Sequence, residues 1–243
     1  MSKFTGPASV FSSNPLVVDE ASPSHDLGAK LVTPDGRAFR YARAGSGAAL
    51  VVGNLLQAEA EDTGEQNLAV SATAIGATQI TTTTTVTVTA NEYAGGFVVV
   101  AITPGLGQTL KIKSHPAATA AALTLDLEDP VQTALTTDSR IDLVPSLYAG
   151  VIQNPTSITG SVVGVACNNI AASNYGWIQT GGPAACLADG TLTVGLPVVA
   201  SNGTAGGVET ISDGANELLA IVGIAMTAAT TAEAGLVNLT LDR

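Results

Sequence analysis

The chain has 243 residues, of which 46% are hydrophobic but only 4% aromatic and 12% charged, and its formal net charge is −11. A chain of this length buries a large core on folding, so its stability requires no disulfide or metal. The acidic balance argues against nucleic acid and anionic membranes as partners, because neutralising phosphates takes clustered Lys and Arg.

The composition is typical of an all-β protein, since Val and Thr fit pleated strands and the 26 glycines permit tight reversals. We therefore predict a barrel or sandwich of short antiparallel strands. The best apolar run, residues 218–229, is too short for a membrane-spanning helix, which needs about 20 residues. The opening residues lack the apolar region of a secretory signal, so we expect a protein made in a cytoplasm.

Cys167 and Cys186 are the only cysteines, and neither lies in a spacing that binds metals. In a reducing compartment we interpret them as buried free thiols. A disulfide between adjacent strands is the alternative, because two cysteines that face each other across a sheet satisfy the geometry of that bond.

Residues 1–35 predict an extended N-terminal arm, because they contain four prolines and their apolar side chains show no helical period. Such a segment cannot bury itself, so it is either disordered or laid on something else, and its apolar residues favour the second. The apolar residues that would make this contact are Phe4, Phe11, Leu16, Val17 and Val18. Residues 1–57 carry five basic and four acidic residues, a net charge of +1, which leaves −12 for the remainder of the chain.

The strand pattern divides the rest of the chain into two parts. The β-barrel or sandwich body is expected to comprise residues 36–78 and 146–243. Its last strands are expected at 217–227 and 234–241. Residues 79–145 predict an inserted β subdomain. Its strands are expected at 79–89, 97–103, 108–113, 122–128 and 140–144.

Residues 175–200 predict a β meander around which the body is organised. Two candidate turns, Gly181-Gly182-Pro183 and Asp189-Gly190, divide it into three short strands. Trp177, the only tryptophan, alternates with Tyr175 and Gln179 in the first of these strands. We interpret Trp177 as a packing anchor and not as a platform for a ligand.

Residues 143–188 contain no Asp, Glu, Lys or Arg. Proline, asparagine and glycine interrupt the stretch, so it does not span a membrane. Two interpretations stay open: part of it faces another subunit, because interface cores are poor in charge, or it forms a central sheet that is buried on both faces. The first interpretation predicts a homo-oligomer.

The chain contains no catalytic signature, since the motifs of serine hydrolases, phosphate-binding loops, dinucleotide-binding folds and zinc proteases are all absent. His25 and His115 are interpreted as surface polar residues. Asp126, Glu128 and Asp129 lack the spacing of a calcium-binding loop. We therefore predict a protein that is not an enzyme, with no catalytic, cofactor-binding or metal-binding residues.

Four segments resemble head decoration proteins of tailed bacteriophages, also called cement or capsid-stabilising proteins. These segments are FSSNPLVVDEASPSHDLGAK, TPDGRAFRYARAGSGAALVVGNLLQA, KIKSHPA and YGWIQTGGPAACLADGT. The resemblance implies a non-enzymatic, usually trimeric β protein that is made in the host cytoplasm and lies on the capsid exterior of the virion. It implies that the protein stabilises the head by clamping neighbouring major capsid subunits, with residues 1–35 as the capsid-binding arm.

The length of 243 residues is large for a simple cement protein, and the resemblance assigns no role to residues 79–145. The alternative is a receptor-binding or glycan-binding β module in a head fibre or spike. A glycan site normally presents exposed aromatic rings to the sugar, and one Trp, four Tyr and four Phe supply few of them.

Overall fold

The computed structural model describes residues 14–157, 159–211 and 219–242. Strands account for 43% of the chain and helix for 3%, which confirms the predicted all-β class. The chain forms two compact units. Unit 1 comprises residues 1–59 and 147–243, and unit 2 comprises residues 60–146.

Within the described residues, eighteen strands follow one another along the chain, with 3₁₀ turns at Pro15–Val17 and Thr63–Glu65. The first strands of unit 1 are β1 (Lys30–Val32), β2 (Ala38–Arg43) and β3 (Leu55–Gln57). The strands of unit 2 are β4 (Leu68–Ala69), β5 (Gln79–Thr83), β6 (Thr87–Val88), β7 (Phe97–Ile102), β8 (Thr109–Ser114), β9 (Ala118–Thr119), β10 (Ala122–Leu127) and β11 (Arg140–Val144). Unit 1 is completed by β12 (Ile152–Gln153), β13 (Val162–Ala166), β14 (Tyr175–Leu187), β15 (Pro197–Ala200), β16 (Val208–Thr210), β17 (Ile221–Ala225) and β18 (Ala234–Thr240).

Alternation of apolar and polar side chains explains why many of these segments are strands. In β11 the side chains of Ile141 and Leu143 are buried, whereas Arg140 and Asp142 are partly exposed. A period of two places one face of a strand on the core and the other toward solvent. The same period fixes β7, β8 and β10, so their predicted bounds agree with the structure to within one or two residues.

Unit 1 is built on a ten-stranded sheet, whose main order is β12-β3-β13-β14-β18-β17-β15-β16, with β1 and β2 attached through β14. Directly after β14, Ala188 forms a parallel bridge with Val208 of β16. This bridge returns the far end of the sheet to its central strand and gives the sheet the predicted barrel-like form. Its interior contains a cluster of mostly small and medium apolar side chains, including Cys186, Leu192 and Val237.

The central strand β14 corrects the predicted meander, because residues 175–187 form one continuous strand of 13 residues. The first half pairs with β2 and the second with β18, and the register shifts between Gln179 and Gly181. Gly182, with φ +77°, adopts the left-handed conformation that favours glycine at such a bulge. The Gly181-Gly182-Pro183 sequence therefore marks an exchange of partners along one strand, and the chain does not reverse there.

The position of β13 and β14 also explains the uncharged stretch 143–188. β14 has a neighbouring strand on both sides, and most of its side chains and those of β13 are buried. Charged side chains are unfavourable at positions covered on both faces. The low charge of the stretch therefore follows largely from burial within one chain, as the second interpretation proposes.

Unit 2 contains a six-stranded sheet of order β4-β11-β7-β8-β10-β5, with β6 and β9 as a separate pair. A bridge between Val70 and Thr82 links the two ends of this sheet, which therefore encloses its own apolar core. The second compact unit spans residues 60–146, whereas the sequence interpretation placed the start of the inserted subdomain at residue 79. Because β4 pairs with β11, residues 60–78 belong with the inserted unit and not with the body.

Residues 14–29, which we name the strap, lie along unit 1. The backbones of Glu20 and Tyr175 exchange two hydrogen bonds, with N–O distances of 3.0 and 2.8 Å. The carboxylate of Asp19 accepts hydrogen bonds from the amide of Ala171 and the side chain of Asn174. The described part of the predicted arm is thus attached to its own body, because it covers an aromatic cluster that would otherwise be exposed.

Candidate functional site

The residues predicted to bind a capsid are not gathered on one exposed surface. Leu16 and Val18 pack, partly buried, against the cluster of Leu31, Phe39, Tyr41 and Trp177. Val17 points away and is 70% exposed. Phe4 and Phe11 lie outside the described residues. Of the predicted capsid-contact residues that are described, only Val17 is therefore well exposed to a partner.

Trp177 lies in the centre of this aromatic cluster and is 1% exposed. Its ring centroid is 5.2 Å from those of Tyr41 and His25. The hydroxyl of Tyr41 donates a hydrogen bond to Glu20, and hydrogen bonds from Ser24 and Tyr41 lower the pKa of the Glu20 carboxyl. The strap covers the indole, so Trp177 occupies the place of a packing residue.

The two histidines do not form part of a catalytic arrangement within the described residues. His115 is 4% exposed, which corrects its interpretation as a surface residue. Its Nε2 accepts a hydrogen bond from the amide of Tyr93 at 2.9 Å, so the proton on Nδ1 is donated to the carbonyl of Pro116 at 2.8 Å. His25 packs against aromatic rings instead of facing a nucleophile.

The described residues contain no group of three or more His, Cys, Asp or Glu side chains that could hold a metal ion. The Asp126 carboxylate accepts hydrogen bonds from Gln79 and Ser114, whereas Glu128 pairs with Lys111. In the same part of the chain the helices are single turns, and none is long enough to cross a membrane.

The cysteines are free thiols, as predicted. Burial raises the pKa of Cys167 to about 11 and that of Cys186 to about 12. Both thiols are therefore protonated at neutral pH, and the thiolate is the nucleophilic form. Cys167 is only partly buried, and its Sγ lies 3.1 Å from the carbonyl oxygen of Trp177.

The basic residues near the N-terminus are used largely within the chain. Arg40 contacts both carboxylate oxygens of Asp242, at 2.6 and 3.2 Å, and Lys30 contacts the same carboxylate at 3.1 Å. Burial raises the pKa of Asp242, but the hydrogen bonds from Arg40 and Lys30 outweigh this effect and hold the pKa below its usual value. These contacts hold the end of the chain against β1 and β2, so the charges are not free to attract an acidic partner.

Unit 1 also presents an exposed apolar surface on the side of its sheet opposite to the core. Strand pairing places Pro197, Ile224, Asn238 and Pro183 side by side across β15, β17, β18 and β14. In the neighbouring row Ala185 lies beside Leu236, whose carbonyl accepts a hydrogen bond from the amide of Met226. We name these residues the outer face: Pro183, Ala185, Pro197, Ile224, Met226, Leu236 and Asn238.

The burial of the intervening residues confirms that the outer face is one side of the sheet. Ala184 of β14 pairs with Val237 of β18, which in turn pairs with Ala225 of β17. All three side chains are buried in the core. Ile224 and Met226, in contrast, are 46% and 45% exposed. The outer face therefore consists of side chains that a regular sheet directs toward solvent although most of them are apolar.

The outer face adjoins a cavity of about 180 Å³, with which it shares Pro183 and Ala185. The cavity is also lined by Val52, Cys167 and Leu16 of the strap. Val52 is 53% exposed and extends the apolar surface beyond β14. Among the residues that the structure describes, Arg37 is the one charged residue that lines the cavity.

The outer face was not predicted from the sequence, although the sequence contains a signal for it. Residues 190–208 and 218–232 lack charged residues, like the stretch 143–188 described above. β15 and β17 lie entirely within these two runs. A comparison of all three runs would have indicated that their exposed positions form a common surface.

Comparisons with protein families, with curated proteins and with solved structures found no match to this chain.

Glu65 is a buried carboxyl group in unit 2 that has an incomplete set of partners. It is fully buried, its Oε1 accepts a hydrogen bond from the amide of Thr85, and its Oε2 has no partner among the described residues. Burial raises the pKa of Glu65, and the charges of Asp62 and Glu92 act in the same direction. The carboxyl group of Glu65 therefore stays protonated to a higher pH in the folded protein than in the unfolded chain.

We expect the Glu65→Gln variant to be more stable than the wild type at pH 7, by about 1 kcal/mol, the lower end of the cost of an unsatisfied buried group. Because the folded pKa is raised, the wild type loses stability as the pH rises from the unfolded pKa through the folded one. Urea unfolding between pH 4 and 8 measures this difference. Glu61→Gln, at an exposed carboxyl, is the control, and equal pH profiles for both variants would contradict the assignment.

Proposed function

We propose that this protein is a structural virion protein that binds the outer surface of a phage capsid and stabilises it by clamping neighbouring major capsid subunits. The observation that carries the proposal is the outer face, an uncharged apolar surface on a chain with a net charge of −11. Apolar surfaces of this kind mark sites of protein association. The segments that resemble decoration proteins indicate that the partner is the major capsid protein.

In this function the protein acts as a homo-oligomer, with a trimer expected from the resemblance, and is not an enzyme. Its acidic remainder faces water on the capsid exterior and disfavours binding to nucleic acid. The N-terminal residues supply the capsid contact through Phe4, Phe11 and the exposed Val17, by adding an extended segment to the edge of a capsid sheet. Leu16 and Val18 are left out of this contact because they pack against Trp177.

The test is binding of the purified protein to heads from a phage that lacks this chain. We expect saturable co-sedimentation at a fixed number of copies per head, and heads that resist heating better once they are decorated. Wild-type heads, whose sites are already filled, are the control and should bind no further protein. Failure to co-sediment with the undecorated heads would refute the proposal.

The alternative of a glycan-binding module has less support from the aromatic residues. Among the described residues Trp177, Tyr41, Tyr93 and Phe39 are buried, and Phe97 is the exposed aromatic side chain. Tyr148 and Tyr175 are only partly exposed, so these rings provide a poor stacking surface for a sugar. Binding of the protein to host-surface glycans, without binding to heads, would favour this alternative.

A further inference from the structure

We propose that Asn202 is a site of spontaneous deamidation, and that the hydroxyl group of Ser201 slows this modification by holding the amide of Gly203. All three residues lie in the 201–207 loop, which joins β15 to β16 in unit 1. The modification uses this loop and water alone. The inference goes beyond the proposed function and does not rest on it.

The sequence of the loop favours this reaction. Asn202 is the one asparagine in the chain that a glycine follows. Deamidation starts when the backbone nitrogen of the next residue attacks the side-chain carbonyl carbon of asparagine, and a β-carbon on that next residue hinders the approach. Glycine has no β-carbon. Asn202 and Gly203 are both exposed, so water reaches the reacting groups.

The reaction exchanges an amide for a carboxylate. The nitrogen of Gly203 loses its proton and bonds to Cγ of Asn202. The bond from Cγ to Nδ2 then breaks, and the nitrogen takes up that proton and leaves as ammonia. Water opens the resulting succinimide ring at either of its two carbonyl carbons. The products carry aspartate or isoaspartate at position 202, and no group is oxidised or reduced.

Hydrogen bonds to the oxygen of Ser201 restrain the attacking nitrogen. The amide of Gly203 donates to this Oγ at 3.0 Å, and the amide of Thr204 donates to it at 2.9 Å. The Ser201 hydroxyl in turn donates to the carboxylate of Asp189 at 2.5 Å, and Ser201 is 2% exposed. The oxygen that holds Gly203 is therefore itself fixed in place, and it shields the proton that must be lost before the nitrogen can attack.

Deamidation places a new carboxylate beside two existing ones. The amide of Asn202 donates a hydrogen bond to the Glu209 carboxylate at 3.2 Å. Oδ2 of Asp189 lies 2.7 Å from the point where a β-carbon on Gly203 would stand. Like charges this close repel one another, and isoaspartate also lengthens the backbone by one methylene group. The modification therefore loosens the loop and adds a negative charge to a chain whose net charge is −11.

The test is incubation of the purified full chain in mildly alkaline buffer, followed by digestion with a protease that cleaves after Asp and Glu. The peptide of residues 190–209 contains the site, and mass spectrometry measures the exchange of its amide nitrogen for oxygen. Labelling with an isoaspartyl methyltransferase detects the isoaspartate product. Ser201→Ala removes the restraining oxygen, and Ser46→Ala, at an exposed serine, is its matched control. Asn202→Gln is the control for the site, because glutamine forms the corresponding ring far more slowly.

We expect Ser201→Ala to deamidate about fivefold faster than the wild type, the change in rate that corresponds to the loss of one hydrogen bond. Ser46→Ala should match the wild type, and Asn202→Gln should leave the mass of the peptide unchanged. An equal rate for Ser201→Ala would overturn the inference. A slower rate would overturn it too, and would indicate that Ser201 and Asp189 assist the loss of the proton from Gly203.

A second measurement keeps the test valid if Ser201→Ala does not fold, as circular dichroism would reveal. The wild type is incubated in the same buffer with and without guanidinium chloride, which unfolds the chain and releases Gly203 from Ser201. We expect the unfolded chain to deamidate at Asn202 at least about fivefold faster than the folded one. Equal rates in the two states, or no deamidation of the unfolded chain at this residue, would contradict the inference.

Discussion

The Trp177→Ala variant is expected to lose about 3–5 kcal/mol of unfolding free energy, the usual cost of removing a large buried side chain. The indole is 1% exposed and packs against the rings of Tyr41 and His25. Its removal leaves a cavity beneath the strap that the paired strands around it cannot close without moving. Urea unfolding followed by far-ultraviolet circular dichroism measures the change.

Phe97→Ala is the control for the loss of Trp177, because Phe97 is an aromatic residue that is 41% exposed. We expect that change to cost about 1 kcal/mol or less. If Trp177→Ala unfolded like the wild type and had lost binding to a sugar or receptor, Trp177 would have to be reassigned as a ligand-binding residue.

Deletion of residues 2–29 is expected to destabilise the protein by at least about 3 kcal/mol, since each apolar side chain that leaves the core loses roughly 1 kcal/mol or more. The deletion removes the strap and exposes the cluster that contains Tyr41 and Trp177. Deletion of residues 2–13 removes none of the described contacts and should change stability by less than about 0.5 kcal/mol. Thermal and urea unfolding of both truncated chains, compared with the full chain, provide the measurement.

Substitutions at two neighbouring residues of the strap test whether its packing against the aromatic cluster stabilises the protein. Leu16→Asp places a charge against the aromatic cluster, whereas Val17→Asp places one at a site that is 70% exposed. We expect only the first to lower stability, because burying an unpaired charge is costly. Equal effects of the two changes, or a deletion of residues 2–29 that is as stable as the full chain, would restore the interpretation of residues 14–29 as a free arm.

Local patterns were sufficient to predict the class of the fold and most strands of unit 2. In β11 the alternation of Ile141 and Leu143 with polar residues determines which face is buried. The Gly181-Gly182-Pro183 sequence shows where such reasoning fails, because a turn and a bulge both use a glycine with positive φ. Here the chain forms a bulge and not a turn because β2 and β18 pair with the two halves of β14. Both strands lie far from β14 in the sequence.

The candidate site was harder to predict than the fold, because it is assembled from single positions on separate strands. β15 contributes Pro197, β17 contributes Ile224, and β18 contributes Leu236 and Asn238. None of these strands is unusual alone, and only their register brings the exposed positions together. His115 was misplaced for a related reason, because its burial depends on the amide of Tyr93, 22 residues away.

The division of unit 1 by the insertion has a consequence for synthesis on the ribosome. All strand pairs of unit 2 lie within residues 60–146, so this unit can complete its sheet as soon as those residues have emerged. β2, however, pairs Ala38 with Gly181, a partner that is translated about 140 residues later. Until then the nascent chain holds β2 against β1 alone, and unit 1 can complete its fold only after all of unit 2 has been synthesised.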